Sequence, residues 1–165
     1  SGASGYIMLY SEACFLLAEA AARAANGEAG YAGFTGAQSW FDAGVTDSFL
    51  SRVATMGTYL SAINAKPYFG YTASTTFDQK LHAIMYQKWI ALNGINGAET
   101  WIENTRTGFP SHVPLSTVAP GTSRPIRLLY PSSEIAGNTA NVPQQNESEA
   151  FTSKIFWNQQ YTAKK

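Results

Sequence analysis

The stretch SEACFLLAEAAARAA, Ser11 to Ala25, decides the fold class. Seven of its residues are alanine, the strongest helix former, and small side chains let a second helix approach closely. With Ile7 and Met8 ahead of it, the pattern predicts a helix over Tyr6–Ala25, stopped by Gly27. Glu12 and Glu19 are seven apart and share one face. Cys14, amid these small residues, reads as core packing, since a free cysteine behaves as a small hydrophobe.

Outward from this helix, Gly27, Gly30, Gly33 and Gly36 recur every third residue. The run lacks the length and proline of collagen and the flanking Lys or Arg of a phosphate loop, so it reads as an inter-helix loop. Val45, Phe49, Val53, Met56, Leu60 and Ile63 then follow at spacings of 4, 4, 3, 4 and 3, an amphipathic stripe predicting a helix over Ser39–Ala65. Gly57 is its weak point, and Lys66-Pro67 ends it.

A third helix runs from Thr75 or Thr76 to Leu92, with Phe77, Leu81, Ile84, Met85, Trp89 and Leu92 as its apolar face. A short one over Ala98–Arg106 carries Trp101 and Ile102. From there to Gln145 the chain is rich in Pro, Ser, Thr and Asn and reads as ordered coil, with short extended pieces such as Ile126–Tyr130. A last short helix is expected over Glu147–Trp157. Residues 1–107 are thus helical and 108–165 mostly irregular. The expected fold is mainly α, in tetratricopeptide-like pairs. Such pairs bury their faces against neighbouring repeats, and here there are fewer than the three repeats that usually suffice.

Composition narrows the function. The 165 residues suit one domain or a large piece of one. Eleven basic and eleven acidic residues cancel, and only 13% of the chain is charged. Nucleic-acid binding and polybasic membrane attachment both need a cationic footprint and are not expected. Serine, threonine, asparagine and glutamine together number 46, so the surface is polar but largely uncharged. One cysteine excludes an internal disulfide, and no apolar run reaches membrane-spanning length. Ser1–Gly5 does not read as a signal peptide.

Several constellations could carry chemistry. Glu99 and Glu103, at i and i+4, place two carboxylates on one helix face, as a glycosidase requires. Structural roles compete: Glu103 can pair with Arg106, and Glu99 lies in a first turn where the helix dipole favours it. His82 and His112 are isolated, with no metal-ligand spacing, so no metal or cofactor is expected. No Gly-x-Ser-x-Gly elbow occurs. Asn146-Glu147-Ser148 fits a glycosylation sequon, a frequent chance match.

The 4 Trp, 9 Tyr and 9 Phe remain. Ring faces stack on sugar faces, while amides and hydroxyls match sugar hydroxyls, so the composition suits a neutral polar ligand. Trp89 and Trp101 fall on apolar stripes and read as core. Tyr68, Phe69 and Tyr71 in a loop are the ligand candidates. Trp40 is a further one, although with Phe41 it can also staple the start of its helix.

Ordered segments resemble one family. SEACFLLAEAA (Ser11–Ala21), WFDAGVTDSF (Trp40–Phe49), QKWIALNG (Gln87–Gly94), ETWIENTRTGFP (Glu99–Pro110), RLLYPSSE (Arg127–Glu134) with Asn138 and Asn141, and KIFW (Lys154–Trp157) are similar to segments of SusD/RagB-type outer-membrane lipoproteins. Asn104-Thr105 and Phe156 depart from the usual pattern. The resemblance implies a SusD-like α/α superhelix, with residues 1–165 the C-terminal portion of one larger domain. It implies a non-catalytic protein that captures oligosaccharides or peptides at the cell surface of Bacteroidetes. Its expected partner is a SusC-like TonB-dependent transporter, and its only membrane attachment an N-terminal lipid anchor outside this chain. Trp101 is expected to pack and Arg106 to bind neighbouring loop carbonyls. The alternatives are a helical-repeat scaffold that binds only protein, and a helical glycoside hydrolase.

Overall fold

The computed structural model describes residues 6–111, 113–115, 117 and 123–156. They fall into two compact units, 6–111 and the described residues from 113 on. Every regular element among them is a helix.

In the first unit, α1 spans Tyr10–Ala25. It starts four residues later than the apolar pattern suggests: Leu9 is extended, and Ile7 stands fully exposed. The start is fixed by a partner. The Ser11 N–H donates to Asp47 Oδ2 at 2.9 Å, which puts a carboxylate on the positive end of the helix. Gly27 takes the left-handed conformation (φ 84°) beyond the helix end. One turn of 3-10 helix, Ala29–Tyr31, lies within the glycine loop.

Helix α2 covers Ala37–Leu50 and runs antiparallel to α1, for the start of α1 meets the end of α2 at Ser11–Asp47. The two approach closely because Gly44 has no side chain. A Cβ there would lie 2.9 Å from the Phe15 ring. Phe15 and Phe41 meet edge-to-face at 6.2 Å, both fully buried. Cys14, next to Phe15 in sequence, is buried too.

The long helix expected over Ser39–Ala65 is broken. After α2 the chain turns through residues 51–58 and resumes as α3, Tyr59–Asn64. Val53 and Gly57 both have positive φ there. The apolar spacing hid this break, because Met56, Leu60 and Ile63 still reach the core while Val53 leaves it, 97% exposed. The break lets the Arg52 guanidinium reach the last carbonyls of α4 (Phe77–Leu92). It donates to Ala91 at 2.7 Å and Asn93 at 3.1 Å. A cation thus sits where the dipole of α4 is negative.

Thr76 caps α4 with Gln79 in a reciprocal capping box. Leu81, Ile84, Met85 and Leu92 are buried as expected, whereas Trp89 is only half-buried. Asn96 caps α5, Gly97–Thr107, and Gly108 (φ 77°) ends it. Trp101 is half-buried and Ile102 exposed.

The second unit holds two short helices, α6 (Ser132–Gly137) and α7 (Glu149–Thr152). The α6 helix has no apolar stripe to announce it, and α7 is shorter than the expected Glu147–Trp157. Ile126–Tyr130 forms no strand; the Ile126 and Arg127 N–H groups both donate to the Ala150 carbonyl. His112 and Trp157 lie outside the described residues.

Candidate functional site

Two groupings in the first unit hold the residues that the sequence singles out. The first is ionic. Glu99, Lys88, Glu103, Arg106, Glu19, Arg23 and Glu28 form an unbroken chain of alternating charge across α5, α4 and α1. Lys88 is almost wholly buried, yet its Nζ lies 3.1 Å from Glu99 and 3.2 Å from Glu103. Two carboxylates offset the desolvation of one ammonium. Arg106 grips Glu19 through both terminal nitrogens, at 2.8 and 2.7 Å, and Glu103 at 2.6 Å. Burial pushes the Glu19 carboxyl up, but hydrogen bonds and charge from Arg106 and then Arg23 outweigh it and hold it below the ordinary value.

This arrangement corrects one expectation and completes another. Among the described residues Arg106 bonds carboxylates and no loop carbonyl. That role falls to Asn104, whose Nδ2 donates to the Pro110 carbonyl at 3.0 Å. Glu103 pairs with Arg106 as expected. Glu99 and Glu103 do share a face, but the face is filled by Lys88, so the pair ties α5 to α4.

The second grouping is aromatic and built on the turn between α3 and α4. Tyr68 adopts a left-handed conformation (φ 69°), rare for an aromatic residue. All six backbone polar groups of Tyr68, Phe69 and Gly70 are nevertheless hydrogen-bonded. The Tyr68 N–H donates to Ser74 Oγ at 3.2 Å, and the Phe69 and Gly70 N–H groups donate to the Lys66 carbonyl. Ser74 Oγ donates to the Gly70 carbonyl at 2.7 Å. His82 Nδ1 lies 2.8 Å from the Tyr68 carbonyl, and Gln87 Nε2 donates to the Phe69 carbonyl at 3.1 Å. A carbonyl only accepts, so Nδ1 of His82 carries its hydrogen. The turn also lies tight on α3, since a Cβ on Gly70 would fall 2.3 Å from the Ile63 carbonyl oxygen.

This scaffold leaves Tyr68 47% and Phe69 37% exposed. Phe69 stands edge-on to Tyr86 at 5.0 Å, and Tyr86 lies 6.1 Å from Trp89. Tyr68 stands edge-on to His82 at 5.6 Å. A ridge of partly exposed rings results: Tyr68, Phe69, Tyr86 and Trp89. Of the four sequence candidates the structure brings only Tyr68 and Phe69 together here. Tyr71 is buried against Phe41 at 6.1 Å, with Lys80 over its ring. Trp40 is half-buried on α2 against the core and shares no ring contact with Tyr68 or Phe69 among the described residues. Sequence reading passed over Tyr86 and assigned Trp89 to the core. Their i, i+3 spacing on one helix was the available signal.

Among the described residues no cluster of three His, Cys, Asp or Glu could hold a metal ion, and no helix is long and apolar enough to cross a membrane.

The first unit is thus all-helical, tied together by a charge ladder and topped by an aromatic turn. The chain belongs to the SusD-like family described as starch-binding and associating with the outer membrane, whose model matches residues 1–131. Two solved structures share the fold. One is a SusD homologue from Bacteroides fragilis NCTC 9343, with TM-score 0.63, 23% identity, and 83% of this chain and 30% of that one covered. The other is a SusD-like protein designated Bacteroidetes AC2a, with TM-score 0.65, 22% identity, and 93% and 30% covered. The chain therefore spans 30% of the length of either structure. No curated protein matches the chain.

Proposed function

We propose that this chain is the C-terminal portion of a single SusD-like domain, in a non-catalytic protein that captures neutral oligosaccharide at the outer-membrane surface. The cargo passes to a SusC-like TonB-dependent transporter, and a lipid anchor in a preceding segment attaches the protein to the membrane. The observation that carries this reading is the presentation of Tyr68 and Phe69. Two adjacent rings stand half-exposed on a turn whose every backbone polar group is already satisfied, so the turn is held without a ligand while part of each ring stays open to one. Stacking on a sugar face requires this kind of rigid, uncharged surface. The family description, starch-binding, points the same way. A non-catalytic role agrees with Glu99 and Glu103 both being held by Lys88.

Calorimetric titration of the intact protein with maltoheptaose tests this. The expected result is binding without turnover, abolished by Tyr68→Ala and weakened by Phe69→Ala. Binding of a peptide mixture in place of the sugar, or hydrolysis of the sugar, would overturn it. Tyr71 is buried against Phe41, so Tyr71→Phe should leave the affinity unchanged.

A further inference from the structure

We propose that His82 and Gln87 are positioning residues for the ligand face: buried polar side chains of α4 that hold the strained turn in its binding conformation. This rests on the reading of Tyr68 and Phe69 as ligand contacts. Both side chains are nearly inaccessible, at 2% and 3% exposure, so neither can touch a ligand. Each bonds the carbonyl of one of the two presented residues: His82 that of Tyr68, Gln87 that of Phe69. Gln87 is itself fixed, for its Oε1 accepts from the Tyr59 hydroxyl at 3.2 Å, linking α3 to α4. The His82 ring also lies 6.1 Å from the Tyr86 ring and nearly parallel to it, so the same residue neighbours two rings of the ridge, Tyr68 and Tyr86.

Placing polar side chains in a helix core has a desolvation cost that an apolar residue avoids. Holding Tyr68 at positive φ has a further strain cost. Neither expense is needed to join α3 to α4, since a turn with glycine at that position would close without it. Together they fix the orientation of two rings. Binding then avoids the entropy of ordering them, which is how preorganisation raises affinity.

The test compares His82→Leu and Gln87→Met, which keep bulk but lose the donors, with His82→Asn, which restores a donor near the Nδ1 position. In the intact protein each of the first two should weaken maltoheptaose binding about fivefold to tenfold, the worth of one net hydrogen bond. Amide exchange at Tyr68, Phe69 and Gly70 should quicken by about tenfold while amides inside α4 stay protected. His82→Asn should recover both readouts. Quickened exchange with unchanged affinity, while Tyr68→Ala still abolishes binding, would overturn the positioning role and leave the ligand face standing. Wild-type affinity in both Tyr68→Ala and Phe69→Ala would overturn the ligand face and the positioning role with it. Should His82→Leu fail to fold, Gln87→Met alone decides, because its near-isosteric side chain leaves the core filled.

Discussion

Two turns flank α3, and each contains a non-glycine residue forced into the left-handed region: Val53 at φ 53° before it and Tyr68 at φ 69° after it. Their surroundings are opposite. The N–H groups of Arg52, Val53 and Ala54 donate to the nearby Phe49 and Leu50 carbonyls, and the Val53 side chain is 97% exposed. The backbone around Tyr68 is held by side chains from α4 and from Ser74, and Gly70 beside it has no room for a methyl group. The first turn holds its strain at an exposed residue bonded to local carbonyls. The second stores similar strain inside a framework that over-determines it, as at ligand clamps. The strain is comparable; the difference lies in how many independent groups hold it.

The largest expected effect is at the tight end of the second turn. Gly70→Ala drives a Cβ to 2.3 Å from the Ile63 carbonyl oxygen and 2.4 Å from the Asn64 Cα. Both atoms are backbone, so α3 or the turn must move. A loss of about 3 kcal/mol, measured by urea unfolding, is expected, with loss of sugar binding. A variant as stable as wild type would show that the turn is not held against α3 at all.

Next is Ser74→Ala. Its hydroxyl accepts from the Tyr68 N–H and donates to the Gly70 carbonyl, and Ser74 is 2% exposed. Removal leaves the buried Gly70 carbonyl and the partly buried Tyr68 N–H without this partner, for about 2 kcal/mol of destabilisation. Arg52→Ala tests the first turn in the same way. Its guanidinium bonds carbonyls at the end of α4 but is itself exposed, so about 1 kcal/mol is expected, reduced by salt. Thermal unfolding of the two variants side by side should rank Ser74→Ala as the greater loss. The reverse order would remove the distinction between a fastened turn and a loose one.

The contrast also shows what the sequence could and could not reveal. Helices α1, α4 and α5 were legible because local signals agree: alanine content, the Thr76–Gln79 capping box, and glycines just past α1 and α5. The break after Leu50 was not, because an apolar stripe of the right period runs straight through it. Periodicity records which residues face the core, and Met56 and Ile63 do face it, one from the turn and the other from a separate helix. The charge ladder was half legible. Glu103–Arg106 is a local pair, but Arg106–Glu19 joins residues 87 apart and requires the fold. Tyr68 and Phe69 stood out as aromatic loop residues, while nothing in the sequence shows that His82 and Gln87 reach their carbonyls.

The smallest effect carries the sharpest test, because the same replacement should act differently in the two turns. Val53 is β-branched, left-handed and exposed, so its side chain contributes strain and almost no packing. Asparagine occupies the left-handed region far more readily. Val53→Asn should therefore stabilise the protein by about 0.5–1 kcal/mol, raising the midpoint of thermal unfolding by about 2 °C, with no change in sugar affinity. The same replacement at Tyr68 relaxes similar strain but removes the ring that stands edge-on to His82 and that we propose contacts the sugar. Lost contact and relieved strain should nearly cancel in stability, while binding disappears. If Tyr68→Asn stabilised the fold as much as Val53→Asn and still bound maltoheptaose, the strain at Tyr68 would be as idle as that at Val53.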